Sequence, residues 1–353
     1  MRPSPVWVFV VALASCAPTA HAPPPSVHPP FSVEDARKVL PALAALLVDD
    51  YVFPETGRRY AAMLQSNLAA GRYARFPDAG AFAEKVTADL QAVSPDKHLV
   101  LIAPRTDRPG PASTPASDPP PVGKSGWMGP GVAYLELHSF PSDPPTLDKL
   151  RTFLAQHAGA KTLIIDLVHE HAGGWVGEAD LLFSQLYASP TDLVAIEVRQ
   201  AVDQRMGGLS APSIRKLDAP PGVVRYLHSV TPAPGATLHD TRVYVLVSNR
   251  TISAGEHLAF ALQRTHRATL IGERTRGAGN VETEVPIGVG YSAVIPFARA
   301  FDPRTGKGWE GVGVVPDIQV PPEKALDEAL RLSAAGAPPP PSRPACAPQS
   351  PHR

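Results

Sequence analysis

Within Arg242–Leu262, RVYVLVSNRTISAGEHLAFAL, Ser253 stands where a strand should give way to a helix. Val243, Val245 and Val247 among other apolar residues predict a strand buried on both faces of a mostly parallel sheet, and a helix is expected from Ala254. A hydroxyl at that junction projects beyond the sheet edge. The free N–H groups and positive end of the helix can stabilise an oxyanion beside it, as a nucleophile requires. Ser253 with Glu256 three residues on also forms a capping box, in which serine merely satisfies helix donors. The local residues leave both roles open.

Serine catalysis further needs a base, a group that orients the base, and an oxyanion hole. The G-x-S-x-G version fails, because Thr251 holds the first glycine position and the only later histidines are His257, His266 and His352. A base must come from upstream, and His98, in SPDKHLVLIAP at a turn-to-strand junction, is one candidate. Gly173 and Gly174 follow a strand and precede a helix, where a glycine pair lets backbone N–H groups approach a reacting oxygen or simply makes a tight turn. His169 and His171 in VHEHAGG could face a cation together. Neither an H-E-x-x-H helix nor a cysteine cluster accompanies them, so they read as an exposed loop pair; no metal site and no cofactor are expected.

The elements that must position these groups follow from pattern. Ser32 and Asp35 resemble a capping box ahead of Val39, Leu40, Leu43, Leu46 and Leu47 at helical spacing, and two more amphipathic segments follow, around Leu64 and Leu90. Residues 31–104 read as a small N-terminal helical domain, 105–126 as a proline-rich linker, and 127–332 as an α/β core of alternating strands and helices. Residues 333–353 read as a disordered proline-rich tail; many of the 42 prolines fall in such tracts. Thirty-three basic and 33 acidic residues cancel without a basic stripe, so no nucleic-acid partner is expected.

Residues 1–22 hold Arg2 and an apolar run from Val6 to Ala14, too short for a membrane span and suited to an export signal. Leu13-Ala14-Ser15-Cys16 resembles the bacterial lipobox, which implies lipidation of Cys16 and an anchored protein of the cell envelope. Cleavage after Ala22 is the competing reading, disfavoured by Pro23. Cys346 is the second of two cysteines, so the mature lipoprotein would hold no intrachain disulfide.

YVFPETGRRYAAMLQ, SPDKHLVL, GVAYLEL, LIIDLV with its nearby glycines, SNRTISAGEHLAFALQRTHRATLIGERTRGAGN and GVGVVPDIQVPPEKALDEAL resemble, in that order, segments of the tail-specific or C-terminal processing serine peptidases. The resemblance covers most of residues 31–332 and is nearest the branch that shares the module of interphotoreceptor retinoid-binding protein, with a helical N-terminal domain and no PDZ domain. It implies a ClpP/crotonase-like α/β core and hydrolysis of a peptide or protein substrate through an acyl-enzyme. Where Ser-Lys members carry their lysine, RGAGN has Ala278. The pattern of other members, carried onto this chain, gives Ser253 as nucleophile, His98 as base and Glu310 as its orienting acid. The oxyanion donors would be the N–H groups of Ala254 and of Gly173 or Gly174. The glycine turn departs from the family's D-x-R-x-N-x-G-G: Asp166 is kept, Val168 replaces arginine, Glu170 stands at the asparagine, and the glycines are shifted by one. A binding module for apolar ligands or peptides on the same fold is the alternative, since fold does not settle function. A non-enzymatic scaffold, for which none of the three side chains would matter, is a third.

Overall fold

The computed structural model describes residues 28–96, 98–106 and 119–335. Cys16, Cys346 and the signal and tail segments lie outside the described residues. Three helices open the chain, α1 (Val33–Asp50), α2 (Pro54–Ala69) and α3 (Ala79–Val93). Ser32 and Asp78 cap α1 and α3 by accepting the N–H of Asp35 and Ala81. There follow β1 (Val100–Ile102), β2 (Val122–Gly129), β3 (Val132–Leu137), α4 (Pro144–Gln156), β4 (Thr162–Asp166), α5 (Gly177–Leu186), β5 (Thr191–Arg199), α6 (Gln200–Met206), β6 (Ile214–Leu217) and β7 (Val223–Val230). The last part holds β8 (Arg242–Val247), α7 (Ala254–Arg264), β9 (Thr269–Gly272), β10 (Asn280–Gly288), β11 (Tyr291–Phe301), β12 (Ile318–Gln319) and α8 (Pro322–Ala334).

The strands form two sheets. One runs β12-β9-β8-β4-β3-β2, parallel throughout except for the β2–β3 pair. Its inner strands β3, β4, β8 and β9 are buried almost throughout because helices cover both faces. Leu163, Ile165, Val243, Val245 and Val247 pack with Phe153, Phe183, Leu258 and Leu262, while Ile164, Tyr244, Leu246 and Ile271 meet Ala325 and Ala329 of α8. β8, the strand before Ser253, lies inside this sheet between β4 and β9, as its valine pattern predicts.

The second sheet is antiparallel, β1-β11-β5-β7-β6, with β10 paired along β11. β1 pairs with Val294 to Ser292 of β11. Leu99 and Leu101 thereby share one core with Leu43, Leu64, Phe82 and the β11 residues Tyr291, Ala293 and Ile295. Through this pairing the helical segment reaches the site, because β1 begins two residues after His98.

Candidate active site

Ser253 caps α7 with φ +49° and ψ −111°, a left-handed backbone that a serine rarely adopts. The preceding turn is bound to the end of β4 by side-chain hydroxyls. Ser248 donates to the Val168 carbonyl at 2.7 Å and Thr251 to the Leu167 carbonyl at 2.8 Å. The Glu256 carboxylate accepts the Ser253 N–H at 3.0 Å, the return bond of the expected capping box.

Glu256 does more than cap. Fully buried, it also accepts the Thr275 hydroxyl at 2.5 Å and the N–H groups of Gly277 and Ala278 at 2.6 and 2.8 Å. The lysine-free RGAGN segment is thus held against the head of α7 by a carboxylate. Burial pushes the Glu256 carboxyl above its ordinary range, against the pull of those donors.

Glu170 is the second buried carboxylate at this helix terminus. It accepts the N–H groups of Ala172 and Gly173 at 3.1 and 2.6 Å and that of Ile252 at 2.6 Å. One side chain therefore binds the glycine turn to the residue before Ser253. Burial is the main cause that lifts its carboxyl to about 7, with Glu256 adding to the rise. The space is tight: a Cβ on Gly255 would sit 2.7 Å from Glu170 Oε2.

The turn itself faces the nucleophile candidate. Gly173 has φ +61°, and a Cβ there would lie 2.7 Å from Ser253 Cβ and 3.1 Å from its Oγ. Phe140 donates to the Gly173 carbonyl at 2.7 Å and accepts from Trp175 at 2.8 Å, which fixes the turn on the chain leaving β3. The Gly173 N–H is taken by Glu170. Among the described residues, the N–H groups of Gly174 and Ala254 make no hydrogen bond.

His98 and Glu310 come together on the other side. A ring nitrogen of His98 and one carboxylate oxygen each of Asp96 and Glu310 lie within 4.8 Å of one another. Asp96, fully buried, accepts the His98 N–H at 3.0 Å, the Tyr51 hydroxyl at 2.8 Å and Asn280 Nδ2 at 2.9 Å. Glu310 accepts the N–H groups of Gly279 and Asn280 at 2.6 and 3.0 Å. The His98 side chain is 9% exposed; its Nε2 lies 3.5 Å from Glu282, and its buried Nδ1 has no hydrogen-bond partner. Ser253 and His98 form no hydrogen bond with each other.

Residues 277–280 connect the two halves. Gly277 and Ala278 are held by Glu256 beneath Ser253, Gly279 and Asn280 by Glu310, and the Asn280 side chain holds Asp96 and so the His98 loop. Sequence reading passed over Asp96, Asn280 and the structural parts of Glu170 and Glu256. Asp96 carried one signal, a turn-forming residue two before the histidine, and Glu170 another, its place at the family's asparagine.

Residues 131–320 match the family profile for peptidase family S41, and residues 34–125 that for the N-terminal domain of peptidase S41 in eukaryotic IRBP. The chain is 28% identical over 192 residues to the chloroplastic C-terminal processing peptidase of Tetradesmus obliquus, covering 54% of this chain and 36% of the relative. It spans less than half the length of the curated relatives it matches. Among solved structures it superposes on a photosystem II D1 C-terminal processing protease with TM-score 0.52 and 17% identity, covering 84% of this chain and 97% of the other. A lipoprotein from Streptococcus agalactiae gives TM-score 0.56 and 15% identity, with 90% and 100% covered. The core is thus the ClpP/crotonase-like α/β fold expected from the resemblance, preceded by helices. The peptidase S41 profile covers more than half of the 353 residues, and this chain therefore belongs to peptidase family S41.

Proposed function

We propose that the chain is a serine peptidase cleaving peptide or protein substrates through an acyl-enzyme, with Ser253 as nucleophile. The observation that carries this reading is the strained placement of Ser253 at the head of α7, pressed on the Gly173 turn. In the proposed reaction His98 takes the Ser253 proton as Oγ attacks the scissile carbonyl, and later gives it to the leaving amine. Glu310 stabilises the imidazolium. A hydrogen bond between Ser253 and His98 then has to form when substrate binds, as catalytic hydrogen bonds often tighten in the Michaelis complex. Ala254 supplies one oxyanion donor. With the Gly173 N–H committed to Glu170, Gly174 is the turn residue left to supply the other.

Labelling with a fluorophosphonate tests the assignment: wild type should react, and Ser253→Ala and His98→Ala should not. Ser253→Ala should lower turnover by roughly three orders of magnitude or more with the fold intact. Full peptidase activity in Ser253→Ala would end this reading. One observation favours binding of apolar ligands instead, a cavity of about 670 Å³ between α1 and the β10–β11 pair, lined in part by Leu46, Ile287, Ile295 and Phe297. Bound lipid in the purified protein, with no labelling of wild type, would favour that alternative.

Export and anchoring of the chain at a bacterial membrane through lipidated Cys16 belong to the same proposal. Mass spectrometry of the mature N-terminus tests them. Among the described residues, no helix is long and apolar enough to cross a membrane.

A further inference from the structure

At the ends of β3 and β4, Glu136 and His138 form a pair that the proposed peptide chemistry does not use, and His171 lies beside it. Glu136 and His138 are two apart and project to one side of the chain; their side chains are each 11% exposed, with His138 Nε2 3.1 Å from Glu136 Oε1. β3 pairs with β4 in a register that sets Glu136 beside Asp166, so two carboxylates lie side by side. His171 is brought in by its N–H, which donates to the His138 carbonyl at 3.1 Å, and the two rings stand 6.4 Å apart between centroids.

The hydrogen bonds fix which ring nitrogens are available. His138 Nδ1 lies 2.9 Å from the Pro120 carbonyl, and His171 Nδ1 lies 3.2 Å from the His169 carbonyl. A carbonyl only accepts, so both Nδ1 atoms carry hydrogen and, in the neutral rings, both Nε2 atoms carry lone pairs. Backbone carbonyls orient metal-binding histidines in this way. His138 Nε2 and Glu136 Oε1 are 3.1 Å apart, so one cation could sit between them. A tetrahedral zinc with bonds of about 2.0–2.2 Å holds its ligands roughly 3.3 Å apart, which is close to the spacing already present.

We propose that Glu136, His138 and His171, with water as fourth ligand, bind a zinc-class divalent ion. Mixed imidazole and carboxylate donors select zinc, copper or nickel over calcium and magnesium. Exposed His171 would complete the site by turning toward the buried pair, giving up its bond to the His169 carbonyl. The ion would tie the end of β3 to the loop that leads into Gly173, and so stiffen the turn against which Ser253 rests. The site does not depend on Ser253 being a nucleophile.

The test uses the full chain, stripped with chelator and titrated with Zn2+ alone by calorimetry, with thermal melting in parallel. Wild type should bind one ion at this site and melt at a higher temperature when loaded. His171→Ala, an exposed change that should leave the fold unaltered, should weaken binding by at least about tenfold and abolish the thermal shift. His138→Ala should do the same. Asp96, His98 and Glu310 form the competing cluster, so His98→Ala is the control and should keep wild-type affinity. Absence of binding, or binding that survives in His171→Ala and His138→Ala but is lost in His98→Ala, overturns the proposal.

Discussion

Glu170 offers a prediction whose size follows from the structure. Its carboxyl titrates near 7 in the folded chain against an ordinary value of 4.5, so the fold holds this proton more tightly than the unfolded chain does. Below about 4.5 both states are protonated, and above about 7 both are ionised. Between these limits folding takes up a proton, so the unfolding free energy falls as pH rises through that window. A shift of this size corresponds to about 3 kcal/mol. Glu170→Gln cannot ionise and lacks this slope. Its amide can still accept from Ala172 and Gly173 but loses the acceptor for the Ile252 N–H, a pH-independent cost of about 1–3 kcal/mol. Urea unfolding of both proteins from pH 4 to 8 separates the two effects. Wild type should lose its advantage over Glu170→Gln, by up to about 3 kcal/mol, as pH rises. Stability curves that stay parallel across the range would refute the argument and mean that the buried carboxylate is ionised at little expense.

Gly173→Ala would force a Cβ to within 2.7 Å of Ser253 Cβ at a positive φ, so fluorophosphonate labelling should fall by about tenfold or more, with roughly 1–2 kcal/mol lost in denaturant unfolding; unchanged labelling would mean that the turn yields freely. Glu256→Ala leaves buried donors on Ser253, Thr275, Gly277 and Ala278 without their acceptor, and should destabilise the chain by at least about 3 kcal/mol in the same unfolding assay.

These effects concentrate at one helix terminus. Two buried carboxylates, Glu170 and Glu256, collect seven donors from three separate stretches of chain around the first turn of α7. The positive end of the helix and the N–H donors offset part of the cost of burying such groups. The arrangement explains how a serine in a left-handed conformation is held at the edge of a parallel sheet with Thr251 in place of the first glycine of an elbow. Strain of this kind persists only where the surroundings over-determine the backbone.

Much of the architecture was legible from local pattern. Alternating valines around Tyr244 indicate a strand buried on both faces, and the structure covers β8 with α7 on one side and α8 on the other. Ser32 announces its helix through a short-range capping bond. The order of motifs carried the family, because each is a local string of residues. What the residues could not reveal is which distant groups meet. Asp96 and Asn280 are 184 residues apart and touch only because β1 pairs with β11 and β10 lies beside it. Gly173 and Gly174 look equivalent in sequence, but the buried Glu170 carboxylate takes the N–H of one alone. His169 and His171 read as an exposed loop pair and are exposed in the structure, but only the fold shows that the His171 N–H bonds to the His138 carbonyl, beside the buried pair of His138 and Glu136. Periodicity and capping depend on neighbours along the chain and survive in the sequence. Hydrogen-bond partners across the sheet depend on register and crossover, which only the folded chain decides.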